Sequence, residues 1–198
     1  SLKESLRGVY LRGEAPEGPL VLALNHHGFF DGHLAWLLGK LCRRPPSLLV
    51  AEENLRADPV LKLAGALEAG RVRDALRRLR RGEWVALFPE GEMRYPGPLG
   101  PLREGANWLA RKAGVPLLPV ALRVVLRGYE HPEAFLWVGR PLPPGGDLGR
   151  ALGGLLQALD ALLAKTHPRE VPEGFREVLR GRRSLEERVL PLVRLLRP

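Results

Sequence analysis

The segment Asn25-His26-His27-Gly28-Phe29-Phe30-Asp31-Gly32-His33 gathers three imidazoles and a carboxylate between an apolar run, Pro19–Leu24, and a set of leucines at helical spacing. His26 and Asp31 are the pair with chemical promise. Five positions apart on a continuous helix they would point ~140° from each other, but a turn containing Gly28 can fold the carboxylate back to the imidazole. An aspartate that accepts the Nδ1 proton fixes the histidine tautomer and leaves Nε2 free as a general base. Such a base activates a hydroxyl as a hydrolase histidine does its serine, here a hydroxyl of the substrate. Three other roles fit the same residues. Asp31 can cap the following helix, His26 can be a packed, hydrogen-bonded histidine, and His26, His27, Asp31 and His33 can ligate a metal as in a binuclear hydrolase. No later set of Asp or His stands out to complete such a metal centre, and none is expected. His27 and His33 read as accessory.

The elements that would position this pair alternate between strand and helix. Pro19–Leu24, Ser47–Ala51, Trp84–Phe88, Pro116–Leu126 and Phe135–Val138 read as strands. A helix begins near Asp31, carried by Leu34, Leu37, Leu38 and Leu41. Another runs from a cap at Asp58, with Pro59 first, to about Leu67. A very basic one follows, with Val72, Leu76 and Leu79 on its apolar side, ending at Gly82. Glu104–Ala113 is a helix stopped by Gly114, and Leu148 to Leu163 spaces its leucines as a strong amphipathic helix. Ser184 and Glu187 form a capping-box pattern, with Pro191 interrupting the segment beyond. Strands alternating with helices imply an α/β fold with a mixed, largely parallel sheet flanked by helices, and catalytic groups at the strand ends. We read one domain over residues 1–198, with a motif-bearing core at 8–140 and a C-terminal helical part at 147–198.

Composition narrows the partners. The 198 residues carry 31 Lys and Arg against 22 Asp and Glu, a net charge of +9, mostly from arginine. Such an excess suits an anionic partner or simple solubility. Six arginines lie within Arg71–Arg81, and Phe175–Arg197 is basic and amphipathic. Both stretches can lie on an anionic membrane surface, or, for the tail, pack on the core. They lack interleaved aromatics and any nucleic-acid motif, which argues against nucleic acid. Cys42 is the single cysteine, so no intrachain disulfide forms and a reducing compartment fits. No run reaches the ~18 apolar residues of a membrane-spanning helix, and Ser1–Gly18 does not read as a signal peptide.

Taken in order, four features resemble the motifs of the glycerolipid acyltransferases, the lysophosphatidic acid and glycerol-phosphate acyltransferases. Asn25-His26-x4-Asp31 resembles the first motif. Gly65-Ala66 with Arg71 stands where the second should lie. Leu87-Phe88-Pro89-Glu90-Gly91 resembles the third, and Val115-Pro116-Leu117-Leu118-Pro119-Val120 the fourth. Between the last two, Leu102-Arg103-Glu104-Gly105-Ala106 opens a helix at the family's spacing. The third motif usually continues Thr-Arg; here Glu92 and Met93 stand there and Arg94 comes one residue later. Before Arg71, Glu68, Ala69 and Gly70 replace the usual apolar residues.

The resemblance implies a glycerol-3-phosphate acyltransferase-like fold and acyl transfer from acyl-CoA or acyl carrier protein to a hydroxyl of a lysophospholipid, glycerol phosphate or related lipid. No further cofactor and no covalent acyl-enzyme are implied. His26 would be the base and Asp31 its partner. Glu90, Gly91, Arg94 and Arg71 would bind substrate, the arginines because guanidinium holds phosphate in a bidentate grip. Backbone N–H groups near Gly28 or Gly91 would serve the oxyanion. Pro116 and Pro119 would line the acyl or carrier region, or merely punctuate a strand edge. The enzyme would work at the cytoplasmic face of a membrane, peripherally. Two rival readings keep the same residues: a thioesterase or hydrolase acting with water, and a non-catalytic basic membrane-binding module.

Overall fold

The computed structural model describes residues 1–50 and 65–189. In chain order these form α1 (Leu2–Ser5), β1 (Gly8–Arg12), β2 (Val21–Leu24), α2 (Asp31–Leu41), β3 (Ser47–Val50), β4 (Leu67–Glu68), α3 (Val72–Arg80), β5 (Val85–Leu87), α4 (Gly105–Ala113), β6 (Leu117–Val125), β7 (Glu133–Val138), α5 (Leu148–Lys165) and β8 (Arg176–Arg180). The strands make a single eight-stranded sheet ordered β4-β3-β5-β2-β6-β7-β1-β8. Its first five strands run parallel; β7 turns antiparallel to β6, and β8 to β1.

The continuous apolar runs are central strands, as burial on both faces requires. Every residue of β2 and β5 is buried. Leu20, Leu22 and Leu24 meet Leu34, Ala35 and Leu38 of α2 on one face. Val21 and Ala23 meet Ala75 and Leu79 of α3, Leu109 and Ala110 of α4, and Leu148 and Leu152 of α5 on the other. Gly114 ends α4 in the left-handed conformation, φ +66°, as its sequence position predicts. Pro119 lies inside β6, opposite Ala23 of β2. Its missing N–H is harmless because pairing with β7 begins one residue later, at Val120.

From β2 the chain crosses to β3 on one side, over the α2 face. From β5 it crosses to β6 on the other side, over the α4 face. The carboxyl ends of neighbouring β2 and β5 therefore flank a point where the connections diverge, the crevice in which open α/β sheets bind ligands.

Three strands escape the sequence pattern: β1, β4 and β8. β8 corrects the expectation of a wholly helical C-terminal part. Residues 176–180 pair antiparallel with β1, covering what would otherwise be an unpaired sheet edge, and Val178 and Leu179 pack on the core. The expected helix from Asp58 lies outside the described residues apart from its end, where Leu67 belongs to β4. At Ser184 half of the capping box forms: the Ser184 N–H donates to Glu187 Oε2 at 3.0 Å. Ser184 Oγ instead accepts from the Glu130 N–H at 3.1 Å. Residues 185–189 are helical; Pro191 and the rest of the tail lie outside the described residues. Among the described residues no helix is long and apolar enough to cross a membrane.

Candidate active site

Asn25 begins the site by locking its floor. Its side chain accepts from the Leu122 N–H at 2.8 Å and donates to the Leu122 carbonyl at 3.0 Å. It thus extends the β2–β6 ladder by one rung after the backbone has turned away. The turn that follows is organised by one oxygen. Asp31 Oδ2 accepts from the backbone N–H groups of His27 (2.7 Å) and Gly28 (2.8 Å) and lies 2.9 Å from His26 Nδ1. The helix-cap alternative for Asp31 is therefore replaced: α2 has no side-chain cap, because the carboxylate points back into the turn instead of forward to the helix N–H groups.

The contact with Asp31 leaves His26 with its proton on Nδ1. Among the described residues Nε2 has no protein partner. The ring lies flat on Phe88, centroids 4.2 Å apart and planes at 17°, so β5 fixes its orientation from the other side.

Glu90, expected from the motif near the acceptor, sits beneath this pair. It is buried. One oxygen accepts from the His26 N–H at 2.8 Å and the other from the Gly100 N–H at 3.0 Å, while His27 Nε2 stands 3.7 Å away. Burial pushes the carboxyl pKa up, but His27 and the two backbone donors more than offset it and hold Glu90 below the ordinary carboxylate value.

The sequence reading left out Arg123. Buried on β6, it forms a bidentate pair with Asp160 of α5 (2.6 and 2.7 Å) and reaches the Gly97 carbonyl at 2.6 Å. It also contacts His27 Nδ1, as does Asn25 Nδ2 at 3.2 Å. Two donors aimed at Nδ1 make that nitrogen an acceptor, so His27 carries its proton on Nε2, facing Glu90. An arginine inside the apolar Pro116–Leu126 run was the available signal, since a central strand must pair such a charge.

The remaining predicted residues spread around this centre. Gly91 has φ +75°, and a Cβ there would collide with the Arg103 side chain, so Arg103, a second unassigned arginine, lies directly over the turn. Arg103 lines a cavity of about 610 Å³ with Gly100, Asn107, Arg111 and Gly146. Arg94 donates its backbone N–H to the His26 carbonyl at 2.9 Å. Its guanidinium pairs with Glu92 at 2.5 Å and folds over Gly100. Arg71 follows β4 on the same sheet edge, but three strands from β2, about 14 Å of sheet width. It is exposed and pairs with Asp74 at 3.5 Å.

The expected oxyanion donors are already used. The Gly28 N–H is held by Asp31 and the Gly91 N–H by the Phe88 carbonyl at 3.0 Å. Among the described residues no three His, Cys, Asp or Glu side chains converge as metal ligands; His27 faces Glu90 and His33 packs on Phe29.

A family model described as Acyltransferase matches residues 7–123. The chain is 28% identical over 155 residues to an N-acylphosphatidylethanolamine synthase of Arabidopsis thaliana, covering 68% of this chain and 54% of that protein. It is 32% identical over 98 residues to a 1-acyl-sn-glycerol-3-phosphate acyltransferase of Pseudomonas aeruginosa, covering 44% and 37%. The chain thus spans about half or less of the length of the curated relatives it matches. The crystal structure of the 1-acyl-sn-glycerophosphate acyltransferase PlsC from Thermotoga maritima shares the fold, with a TM-score of 0.56 at 22% identity over 80% of this chain and 73% of that one. With the family model running over residues 7–123, more than half of the chain and both turns that meet at His26, this chain belongs to the glycerolipid acyltransferase family.

Proposed function

We propose that the protein transfers a fatty acyl group from an acyl thioester, acyl-CoA or acyl carrier protein, to a hydroxyl of a lysophospholipid, glycerol phosphate or related lipid. The observation that carries this reading is the His26–Asp31 contact at 2.9 Å with Nε2 unpartnered. His26 Nε2 takes the hydroxyl proton as the oxygen attacks the thioester carbonyl. Asp31 stabilises the imidazolium that results. Collapse of the tetrahedral intermediate breaks the C–S bond, and His26 returns the proton to the departing thiolate, so an ester and a free thiol leave. Base catalysis of this kind contributes about 10²–10⁴-fold, and holding both substrates together contributes more.

In this mechanism Glu90, His27 and Arg123 position His26 from below, and no metal or prosthetic group takes part. Gly91 leaves room for the Arg103 side chain over the turn, Arg94 and Arg103 bind the acceptor's anionic group, and Arg71 extends that positive field along the sheet edge. The enzyme works peripherally on the cytoplasmic face of a membrane.

Mass spectrometry of products after incubation with acyl-CoA or acyl carrier protein and a panel of lyso-lipids tests the reading. An acylated lyso-lipid that disappears with His26→Ala is the expected result. Free fatty acid alone, with or without the lyso-lipid, would reject it in favour of a thioesterase.

A further inference from the structure

The outer face of α2 breaks the usual rule for a surface helix, which sets charged side chains opposite the core. α2 buries Leu34, Ala35 and Leu38 against the sheet, yet Phe29 (75% exposed), Trp36 (40%) and Leu41 (44%) face outward. His33, Trp36 and Lys40 fall on one line along α2, Phe29 continues it from the turn just before the helix, and Leu41 sits at its end about a quarter turn away. The Phe29 and His33 rings sit 5.5 Å apart, and the Lys40 ammonium lies 5.1 Å from the Trp36 ring centre. From Gly32 to Ala51 the sequence has Lys40, Arg43 and Arg44 and not one carboxylate. Along α2 the face is therefore apolar and aromatic, and the charged side chains described at its far end, Lys40, Arg43 and Arg44, are basic.

α3 makes the contrast. It carries four arginines where α2 carries one lysine, but Ala75 and Leu79 are buried, with Val72 and Leu76 packed beside them. Val72 and Leu76 are partly exposed only within a recess they share with Trp108, walled by Arg71, Arg73 and Arg77, so α3 presents charge rather than an apolar ridge and attracts from a distance.

We propose that the outer face of α2 seats the enzyme on an anionic lipid bilayer. Phe29, Trp36 and Leu41 enter the interface, and Lys40 and Arg43 meet the lipid phosphates. A bilayer is the occupant that fits because the charge is of one sign, as a uniformly anionic surface requires, and because the apolar line runs directly into the catalytic turn. Phe29 belongs to that turn. Met93 and Tyr95, both exposed, flank Arg94, whose backbone is bonded to the His26 carbonyl. A lipid acceptor would then reach His26 at the N-terminal end of a helix lying in the interface. The orientation of His26 rests on the acyltransfer reading; binding to lipid does not.

Co-sedimentation of the full chain with vesicles of phosphatidylcholine, alone or mixed with phosphatidylglycerol, tests this. The mixed vesicles should bind, and a Phe29→Ser/Trp36→Ser/Leu41→Ser variant with an unchanged melting curve should lose at least tenfold in affinity. Lys40→Ser/Arg43→Ser should lose about fivefold per charge, only on anionic vesicles and only at low salt. Arg73→Ser/Arg77→Ser/Arg80→Ser in α3 should stay within about threefold. The proposal is overturned if wild type ignores the vesicles, if the α2 variant binds like wild type, or if the α3 variant is the one that loses binding. A dimer that dissociates in the α2 variant would also overturn it, since a second copy would then cover the face. Failure of acyl transfer with α2-dependent binding intact would sink the proposed reaction and leave this surface standing.

Discussion

Two clusters of charged side chains are set into the same sheet, and they differ in what is left over. On the antiparallel side, Arg7 is buried and spends its guanidinium on Tyr10 Oη (2.7 Å), Glu133 (2.8 Å) and Glu187 (2.8 Å), while Arg127 holds the other Glu133 oxygen at 3.0 Å. Burial alone would pull the Arg7 pKa down, but the hydrogen bond to Glu187 and the charges around it raise it instead. At the parallel side, Asp31, Glu90, His27 and Arg123 are as deeply engaged, yet they converge on an imidazole whose Nε2 has no protein partner. The first cluster ties the C-terminal segment to β1 and β7 and has no free base. Both clusters hold a buried nitrogen without a hydrogen bond, Arg127 Nη1 in the first and His27 Nε2 in the second. A guanidinium nitrogen offers no base, whereas His26 Nε2 is a part-exposed imidazole nitrogen free to take a proton, and that separates a site from a scaffold.

The largest test removes the open group. His26→Ala should lower kcat about 10²–10⁴-fold and leave the melting temperature within a few degrees, since among the described residues the ring's polar contact is to Asp31 alone. Steady-state thiol release in the presence of a lyso-lipid, with a thermal melt alongside, reads both. A large loss of stability with activity retained would make this cluster a scaffold too.

The mirror-image test is Arg7→Met. It leaves Glu187 and one face of Glu133 without their buried partner and should cost about 3–5 kcal/mol in urea unfolding. The specific activity of the folded fraction should stay unchanged. If kcat falls with stability preserved, the antiparallel cluster is coupled to catalysis and the contrast fails.

How much of this was legible follows the same division. β2, α2, β5, α4, β6 and α5 announce themselves because each buries a continuous or periodic apolar face. β1, β4 and β8 do not. β4 is two residues long, and β8, Arg176-Glu177-Val178-Leu179-Arg180, reads as amphipathic tail until β1 offers it an edge. His26 and Asp31 were legible as a pair, since their turn needs only local sequence. The bonding of Glu90 and of the Gly28 N–H was not legible, because it depends on which backbone donors the folded turns have already paired. Arg123 was overlooked because its partners, Asp160 and His27, lie 37 and 96 residues away.

Glu90 gives a smaller, pH-dependent effect. Glu90→Gln turns an amide NH₂ towards either the His26 or the Gly100 N–H, a loss of about 1–3 kcal/mol at neutral pH. Because folding holds the Glu90 pKa below its ordinary 4.5, the carboxylate's contribution is complete above 4.5 and fades as pH falls through the lower folded value. Melts of wild type and variant from pH 7 to pH 3 should therefore converge on acidification. Curves that stay parallel would mean that folding leaves the Glu90 pKa at its ordinary value.

The smallest effect separates backbone from side chain in the turn over which Arg103 lies. At φ +75° an alanine at position 91 costs about 1–2 kcal/mol of left-handed strain, and its methyl group pushes Arg103 aside. Gly91→Ala should therefore lose that stability and, separately, raise KM for an anionic acceptor while kcat holds. In an Arg103→Ala background the methyl group has nothing left to displace. Adding Gly91→Ala there should cost the same stability and leave KM unmoved from the Arg103→Ala value. A further rise in KM in that background would mean that the acceptor touches the Gly91 backbone itself. The turn would then contribute contact as well as the placement of an arginine.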